Sequence, residues 1–131
     1  MTMARPLTLL SLLLPLLAAC GEGELREVSR HPSPDGRRDV VVGSLQAGES
    51  HPFLVVMTAK PGDSGGKGAR LLLADGGDAP TVTWDDAGHL TIACAKARVW
   101  SFRNFWSDPN SGATVAVALK CGAEGWSGAG Q

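Results

Sequence analysis

Apolar and polar residues alternate in short runs between residues 25 and 121, and turn-forming residues separate these runs about every 8–12 positions. No segment keeps a sustained apolar period of 3.6 residues, so helices are not indicated. The predicted strands, in chain order, are 25–30, 39–43, 52–58, 70–74, 81–84, 89–96, 99–106 and 113–121. The pattern predicts a small all-β domain over 25–121, an antiparallel meander or, if the sheet folds over itself, a sandwich.

Three of the connections are predicted from their turn residues. Ser33-Pro34-Asp35-Gly36 is a turn in which Pro presets φ, Asp accepts bonds from nearby backbone and Gly tolerates a positive φ. The segment 60–69 has no apolar residue except its last, which predicts a mobile loop. The segment 85–88 closes a hairpin, and 122–131, rich in Gly and Ser, is predicted to be a flexible tail.

The N-terminus has a different pattern. One basic residue, Arg5, precedes the uncharged run Leu7–Ala19, which is too short for a membrane span of about 20 residues. A basic start and an apolar run of roughly 7–15 residues are typical of a secretory signal peptide. Residues 1–19 are therefore predicted to be an export signal.

Leu17-Ala18-Ala19-Cys20 resembles the lipobox of bacterial lipoproteins. The resemblance implies a diacylglyceryl thioether on Cys20, cleavage before it and acylation of the new amine, for example by palmitate. Two or more acyl chains hold a protein stably on a membrane. Residues 20–24 would then be a polar tether, and Gly21, where inner-membrane retention uses Asp, favours the outer membrane. The alternative is an ordinary signal peptide that leaves Cys20 free or disulfide-bonded.

Composition and charge limit the partners. Removal of residues 1–19 would take away one basic residue and change the formal charge from −1 to −2 on 112 residues, enough for one small domain. This near-balance argues against nucleic acid or anionic lipid as the main partner.

Cys94 and Cys121 remain once Cys20 is lipidated, and an even number in an oxidising compartment indicates a disulfide. Each lies on the apolar face of its own predicted strand, and an antiparallel pairing of these strands would oppose the two thiols. Closing a loop of this length would stabilise the fold by about 3.5 kcal/mol. Two reduced buried thiols are the alternative. A metal site is disfavoured because no Cys-x-x-Cys or close His-Cys spacing exists.

Two resemblances concern the β domain. Residues 33–93 are similar to one blade of a β-propeller and the start of the next, but 112 residues cannot supply the 4–8 blades of a propeller. The turn at 33–36 and the segment 102–106, FRNFW, also resemble a group of small bacterial envelope lipoproteins. That second resemblance implies a location in the cell envelope and no particular activity or cofactor.

The segment 62–66, GDSGG, is identical to the sequence around the nucleophile of chymotrypsin-like serine proteases. Such a serine needs a His as base, an Asp that orients the His, and an oxyanion hole. The upstream candidates are His31, His51, Asp35 and Asp39. The length is about half that of such proteases, so the favoured interpretation is a loop, with a small hydrolase using Ser64 as the alternative. The chain also lacks a phosphate-binding loop and a complete calcium loop.

Aromatic residues cluster late in the chain. The cluster with its arginine consists of Trp100, Phe102, Arg103, Phe105 and Trp106. Core packing is the main interpretation, and a binding patch for an envelope protein is the functional one, because aromatic residues and Arg are enriched at recognition surfaces. A third hypothesis is a small-ligand pocket near Trp100 and Phe102. The sequence thus predicts a lipid-anchored, non-enzymatic envelope protein that faces the periplasm, without cofactor or metal.

Overall fold

The computed structural model describes residues 25–46, 52–109 and 111–121, and within these ranges the chain folds into nine β-strands and one short 3₁₀ helix. The strands are β1 (Leu25–Pro32), β2 (Asp39–Leu45), β3 (Phe53–Ala59), β4 (Arg70–Asp75), β5 (Thr81–Asp86), β6 (His89–Cys94), β7 (Arg98–Phe102), β8 (Phe105–Ser107) and β9 (Thr114–Cys121). The helix is Gly65–Lys67. The prediction of an all-β fold is confirmed.

The first sheet has the order β1-β2-β3-β4-β7, with every neighbouring pair antiparallel. Its first four strands form a meander, as the short connections predict. The β1–β2 turn contains Gly36 at φ +69°, a value that Gly adopts without steric cost. Successive residues of β2 are buried, so both of its faces are covered: Val40 and Val42 belong to the core between the sheets, and Val41 on the other face lies close to Gly65 of the helix.

The second sheet has the order β5-β6-β9-β8. The predicted hairpin is present, with Ala87 and Gly88 between β5 and β6, and β8 and β9 are antiparallel partners. β6 and β9 run parallel, with Cys94 opposite Cys121. The second sheet is therefore mixed, and a strand from the end of the chain lies in its interior.

The two sheets share one core, which makes the domain a sandwich. Buried side chains of the first sheet and of the second belong to the same apolar cluster. Its largest fully buried members from both sheets are Val40, Val42, Val56, Leu71, Leu72, Leu90, Ile92 and Val115. The segment 33–93, similar to a propeller blade, is divided between the sheets, since β2 to β4 lie in the first and β5 and β6 in the second.

The predicted disulfide between Cys94 and Cys121 is confirmed, and its Cα atoms are 4.4 Å apart. The antiparallel pairing considered for the two strands is wrong, because they run parallel. The two residues are opposed all the same. Each cysteine is the last residue of its strand, and the parallel register places the two residues side by side.

The single strand predicted over 99–106 is wrong, because the chain passes there from one sheet to the other. A bulge at Trp100, between the pairs of Val99 and Ser101 with β4, shifts the alternation of the side chains. The backbone N–H of Arg103 then donates to the first sheet, and the carbonyl of Asn104 accepts from β9 of the second. Two successive residues thus bond to different sheets, which separates β7 from β8.

Candidate functional site

A cleft of about 620 Å³ lies at one end of the sandwich, where three connections meet. It is lined by residues 37–38 after the β1–β2 turn, by parts of 58–69 between β3 and β4, and by residues 106 and 108–109 after β8. Small-molecule sites in proteins typically have volumes of about 300–1,000 Å³. The cleft is therefore large enough for a small ligand.

The turn predicted at 33–36 fixes one wall of this cleft. The Ser33 carbonyl accepts from Gly36 N at 2.9 Å, and the Ser33 hydroxyl donates to the Asp35 carboxylate at 2.6 Å. This hydroxyl and the backbone N–H of Arg37 lower the pKa of Asp35. Ser33 also makes two hydrogen bonds with the backbone of Arg38. The Ser33 N–H donates to the Arg38 carbonyl at 2.8 Å, and the Ser33 hydroxyl oxygen accepts from the Arg38 N–H at 3.3 Å. The buried serine thereby holds the backbone of Arg38 in place.

The side chain of Arg38 points into the space between the sheets. Arg38 precedes Val40 and Val42 by two and four residues, which places it in phase with their core-facing side chains. Its side chain is only 5% exposed. The guanidinium carbon lies 5.1 Å from the centroid of the Trp106 ring, and Nη2 lies 3.8 Å from the nearer carboxylate oxygen of Asp108.

Two donor nitrogens of this guanidinium, Nε and Nη1, are buried without a hydrogen-bond partner in the part of the chain that the structure describes. A guanidinium has five N–H donors and remains charged in proteins. Its contact with Trp106 is worth about 2 kcal/mol when desolvated, less than the several kcal/mol that burial of an unpaired ion costs. Arg38 is therefore a buried cation whose own fold satisfies it only in part.

The other ionic groups of the cleft make it locally positive. Four basic residues line it, Arg37, Arg38, Lys60 and Lys67, against two acidic ones, Asp63 and Asp108. The whole chain, by contrast, has 12 basic and 13 acidic residues. The overall charge gives no indication of this cationic site.

Ser64 of the GDSGG segment lines the same cleft, but the proposed triad partners have other contacts. His31 Nε2 lies 2.9 Å from the hydroxyl of Ser29, and the carboxylate of Asp39 accepts from Arg30 at 2.8 Å. Asp35 is bound within the Ser33 turn, as described above. His51 lies outside the described residues. A role for Ser64 as a nucleophile stays a prediction.

The glycines of this segment have structural functions. Gly65 is buried, and a Cβ there would come within 2.7 Å of a methyl carbon of Val41. A Cβ on Gly68 would lie 1.5 Å from the carbonyl oxygen of Thr58. Arg30 donates to the Asp63 carbonyl at 2.5 Å, which ties the segment to β1. The connection expected to be a mobile loop thus contains a 3₁₀ turn packed on the first sheet.

The predicted aromatic patch is spread over both sheets. Phe102 and Trp106 pack against the core, whereas Trp100 and Phe105 are each 50% exposed and Arg103 is exposed. Trp100 belongs to β7 of the first sheet and Phe105 to β8 of the second. Of the five residues, only Trp106 lines the cleft, and a small-ligand pocket near Trp100 and Phe102 stays a prediction.

Trp100 has a contact of its own on the outside of β7. The guanidinium of Arg98 lies 4.6 Å from its ring centroid. Arg98 also donates through Nε and Nη2 to the two carboxylate oxygens of Asp75, at 3.0 and 2.8 Å. Unlike Arg38, this arginine has a bidentate carboxylate partner, which makes it a useful reference for the buried one.

Other predictions concern sites or segments that the described ranges do not reach. Cys20, the signal peptide, the tether and the tail at 122–131 lie outside the described residues, and lipidation of Cys20 stays a prediction. In residues 25–46, 52–109 and 111–121 no three His, Cys, Asp or Glu side chains cluster as metal ligands, and no helix is long and apolar enough to span a membrane.

The sequence matches no protein-family model, and no match to it was found among curated proteins or solved structures. The site is therefore defined by its own geometry: an end cleft in a β-sandwich, with a buried arginine beside a tryptophan.

Proposed function

We propose that this protein is a lipid-anchored, non-enzymatic binding module of the bacterial cell envelope. A diacylglyceryl group on Cys20 ties it to the membrane, with the outer membrane favoured, and the β-sandwich faces the periplasm. The lipobox-like sequence at 17–20 supports the anchor. The cleft at the end of the sandwich supports a binding function.

The observation that carries the binding function is the incompletely bonded Arg38 in a cleft of ligand size. A buried charge that merely stabilised the fold would be expected to have hydrogen-bond partners for its donors, since burial of an unpaired ion is costly. Buried polar groups that lack partners in a concave site are typical of binding sites.

The non-enzymatic part of the proposal rests on the GDSGG segment. Gly65 and Gly68 are required by close packing, and Arg30 holds the segment through the Asp63 carbonyl. These contacts explain the sequence without a catalytic role for Ser64. A fluorophosphonate probe should leave the purified protein unlabelled. Labelling that disappears in Ser64→Ala would overturn this part of the proposal and favour a hydrolase.

The anchor is tested by metabolic labelling with a palmitate analogue. The wild-type protein should be labelled and partition into detergent, whereas Cys20→Ser should be unlabelled and remain in the aqueous phase. If both proteins behave alike, the proposed anchoring and location are wrong.

The binding site is tested by native mass spectrometry of the lipidated protein extracted from membranes in a mild nonionic detergent. The wild type should carry a bound small molecule that is absent from Arg38→Met and retained by Arg98→Met. A bound mass equal in all three proteins would contradict the cleft as the site. A mass that depends on Arg98 would instead favour the Trp100 side of the first sheet as a partner surface.

A further inference from the structure

We infer that the cleft binds a small organic anion, whose carboxylate or phosphate oxygen takes a place on the Arg38 guanidinium beside the Trp106 ring. This inference rests on the proposed binding function and names the chemical class of the ligand. Two features of the cleft carry it: the arrangement of charges around Arg38, and the apolar walls.

The chain itself shows which chemistry fits Arg38. A carboxylate oxygen of Asp108 approaches Nη2, but at 3.8 Å it is well beyond the 2.7–2.9 Å of a charge-assisted hydrogen bond. An oxyanion that enters the cleft can come within hydrogen-bond distance of the Arg38 guanidinium, which the Asp108 carboxylate does not reach. Asp108 then acts as a competitor, since its negative charge lies near the place of the ligand's charge.

The surrounding basic side chains favour the same class of ligand. Arg37, Lys60 and Lys67 line the mouth of the cleft and are exposed, whereas Arg38 lies at its buried end. Basic side chains outnumber acidic ones in the cleft by four to two, and an excess of one sign of charge in a concave surface raises the local concentration of oppositely charged ligands. An anion is thus attracted at the entrance and bonded at the buried end.

The walls indicate an organic body attached to the anionic group. Carbon-rich side chains line the cleft between the charges, namely Ala59, Pro61, Ala69, Trp106 and Pro109. A free inorganic ion would leave these walls in contact with water. A ligand with an apolar ring or short chain would cover them and be stabilised in proportion to the apolar surface removed from water.

The test uses the lipidated full-length protein in nonionic detergent and follows the Arg38 Nε–H signal by NMR. The probes are acetate, phenylacetate, inorganic phosphate, phenyl phosphate and a short-chain phosphatidic acid below its micellar concentration, all at constant ionic strength. Phenylacetate, phenyl phosphate and the phosphatidic acid should shift this signal at concentrations at least about tenfold lower than acetate and inorganic phosphate, because they bury more apolar surface. The Arg98 Nε–H signal is the internal reference and should move little.

The arms of the experiment identify the source of the anion. Tighter binding of phenylacetate points to carboxylates, tighter binding of phenyl phosphate to soluble phosphate esters, and tighter binding of phosphatidic acid to a lipid headgroup. If no probe shifts the Arg38 signal more than that of Arg98, the inference is overturned. A cleft-dependent cargo in the mass spectra together with that result would leave the binding function intact and reject only its anionic ligand.

The inference predicts opposite changes of ligand affinity in two variants, Arg38→Met and Asp108→Asn. Arg38→Met should weaken binding of the best probe by at least about tenfold, while Arg98→Met should leave it unchanged. Asp108→Asn should strengthen binding by at least about fivefold, because it removes a like charge near the ligand. A structural role for the Arg38–Asp108 pair predicts no such gain. Equal affinities in wild type, Arg38→Met and Asp108→Asn would overturn the inference.

Discussion

The disulfide between Cys94 and Cys121 should contribute a large share of the stability of this domain. The two residues are 27 positions apart. Closing a loop of this length lowers the conformational entropy of the unfolded chain and raises its free energy by about 3.5 kcal/mol. Single domains are typically stable by about 5–15 kcal/mol. Reduction of the bond should therefore remove about 3.5 kcal/mol from the free energy of unfolding.

A double variant separates the crosslink from the packing of its side chains. Cys94 is 8% exposed and Cys121 packs against the same core, so Cys94→Ala with Cys121→Ala also loses buried sulfur atoms. This variant should be less stable than the reduced wild type by about a further 1 kcal/mol, the cost of a small void. Reduced wild type and oxidised wild type differ only in the bond itself.

Urea unfolding followed by tryptophan fluorescence measures both differences. With a urea dependence of about 1–3 kcal/mol per M, a loss of 3.5 kcal/mol lowers the midpoint by about 1–3.5 M. Because the crosslink acts on the unfolded chain, the urea dependence itself should rise on reduction. A loss below about 1 kcal/mol, with an unchanged urea dependence, would refute the loop-closure account.

Three further predictions concern packing and charge. Gly68→Ala should lower the free energy of unfolding by at least about 1–3 kcal/mol in thermal melts, because the added Cβ would overlap a backbone carbonyl. The control Gly66→Ala, with open space around the added Cβ, should change this free energy by less than about 0.5 kcal/mol. Leu72→Ala, at a fully buried core position, should cost about 2–5 kcal/mol in the same assay. The pKa of Asp86 is lowered by hydrogen bonds from the His89 ring and the backbone, so NMR titration should give a midpoint below 3.8 that rises in His89→Gln.

The sign of the Asp86 effect on stability follows from that shift. A carboxylate with a lowered folded-state pKa stabilises the protein above its unfolded value of about 3.8, and this contribution is lost as the pH falls through the lower folded value. Equal stabilities of wild type and Asp86→Asn from neutral pH down to that range would contradict this contribution. For the packing variants, equal melting temperatures of the two glycine variants would contradict the overlap argument, and a cost near zero at Leu72 would contradict its place in the core.

Several strands could be predicted from local pattern because their alternating or continuous apolar runs match burial on one face or on both. The runs around Val42, Leu72 and Ile92 alternate or stay apolar over the length of a strand, and these residues are fully buried in the structure. The Ser33 turn and the hairpin at Gly88 could be predicted from their turn residues. Each of these features depends on neighbours within a few residues.

The missed features depend on contacts between distant parts of the chain. The parallel pairing of β6 with β9 and the break between Arg103 and Asn104 leave no local pattern, because each is determined by which sheet the chain joins next. The bulge at Trp100 shifts the alternation within an otherwise regular run. The cleft was missed for a different reason. Arg38 is in phase with the core residues Val40 and Val42, and this phase was the available sign of a buried cation.

The interior position of β9 has a consequence for how the protein is made. β9 spans Thr114–Cys121 and lies between β6 and β8, so before β9 has been synthesised β8 lacks its partner in the sheet and β6 is paired with β5 alone. The β1–β4 meander, in contrast, can pair as soon as residue 75 is available. A polypeptide that emerges N-terminus first would therefore assemble in two stages, and the second sheet would be completed only when β9 joins it. Premature translation stops before residue 114 should yield chains that are degraded.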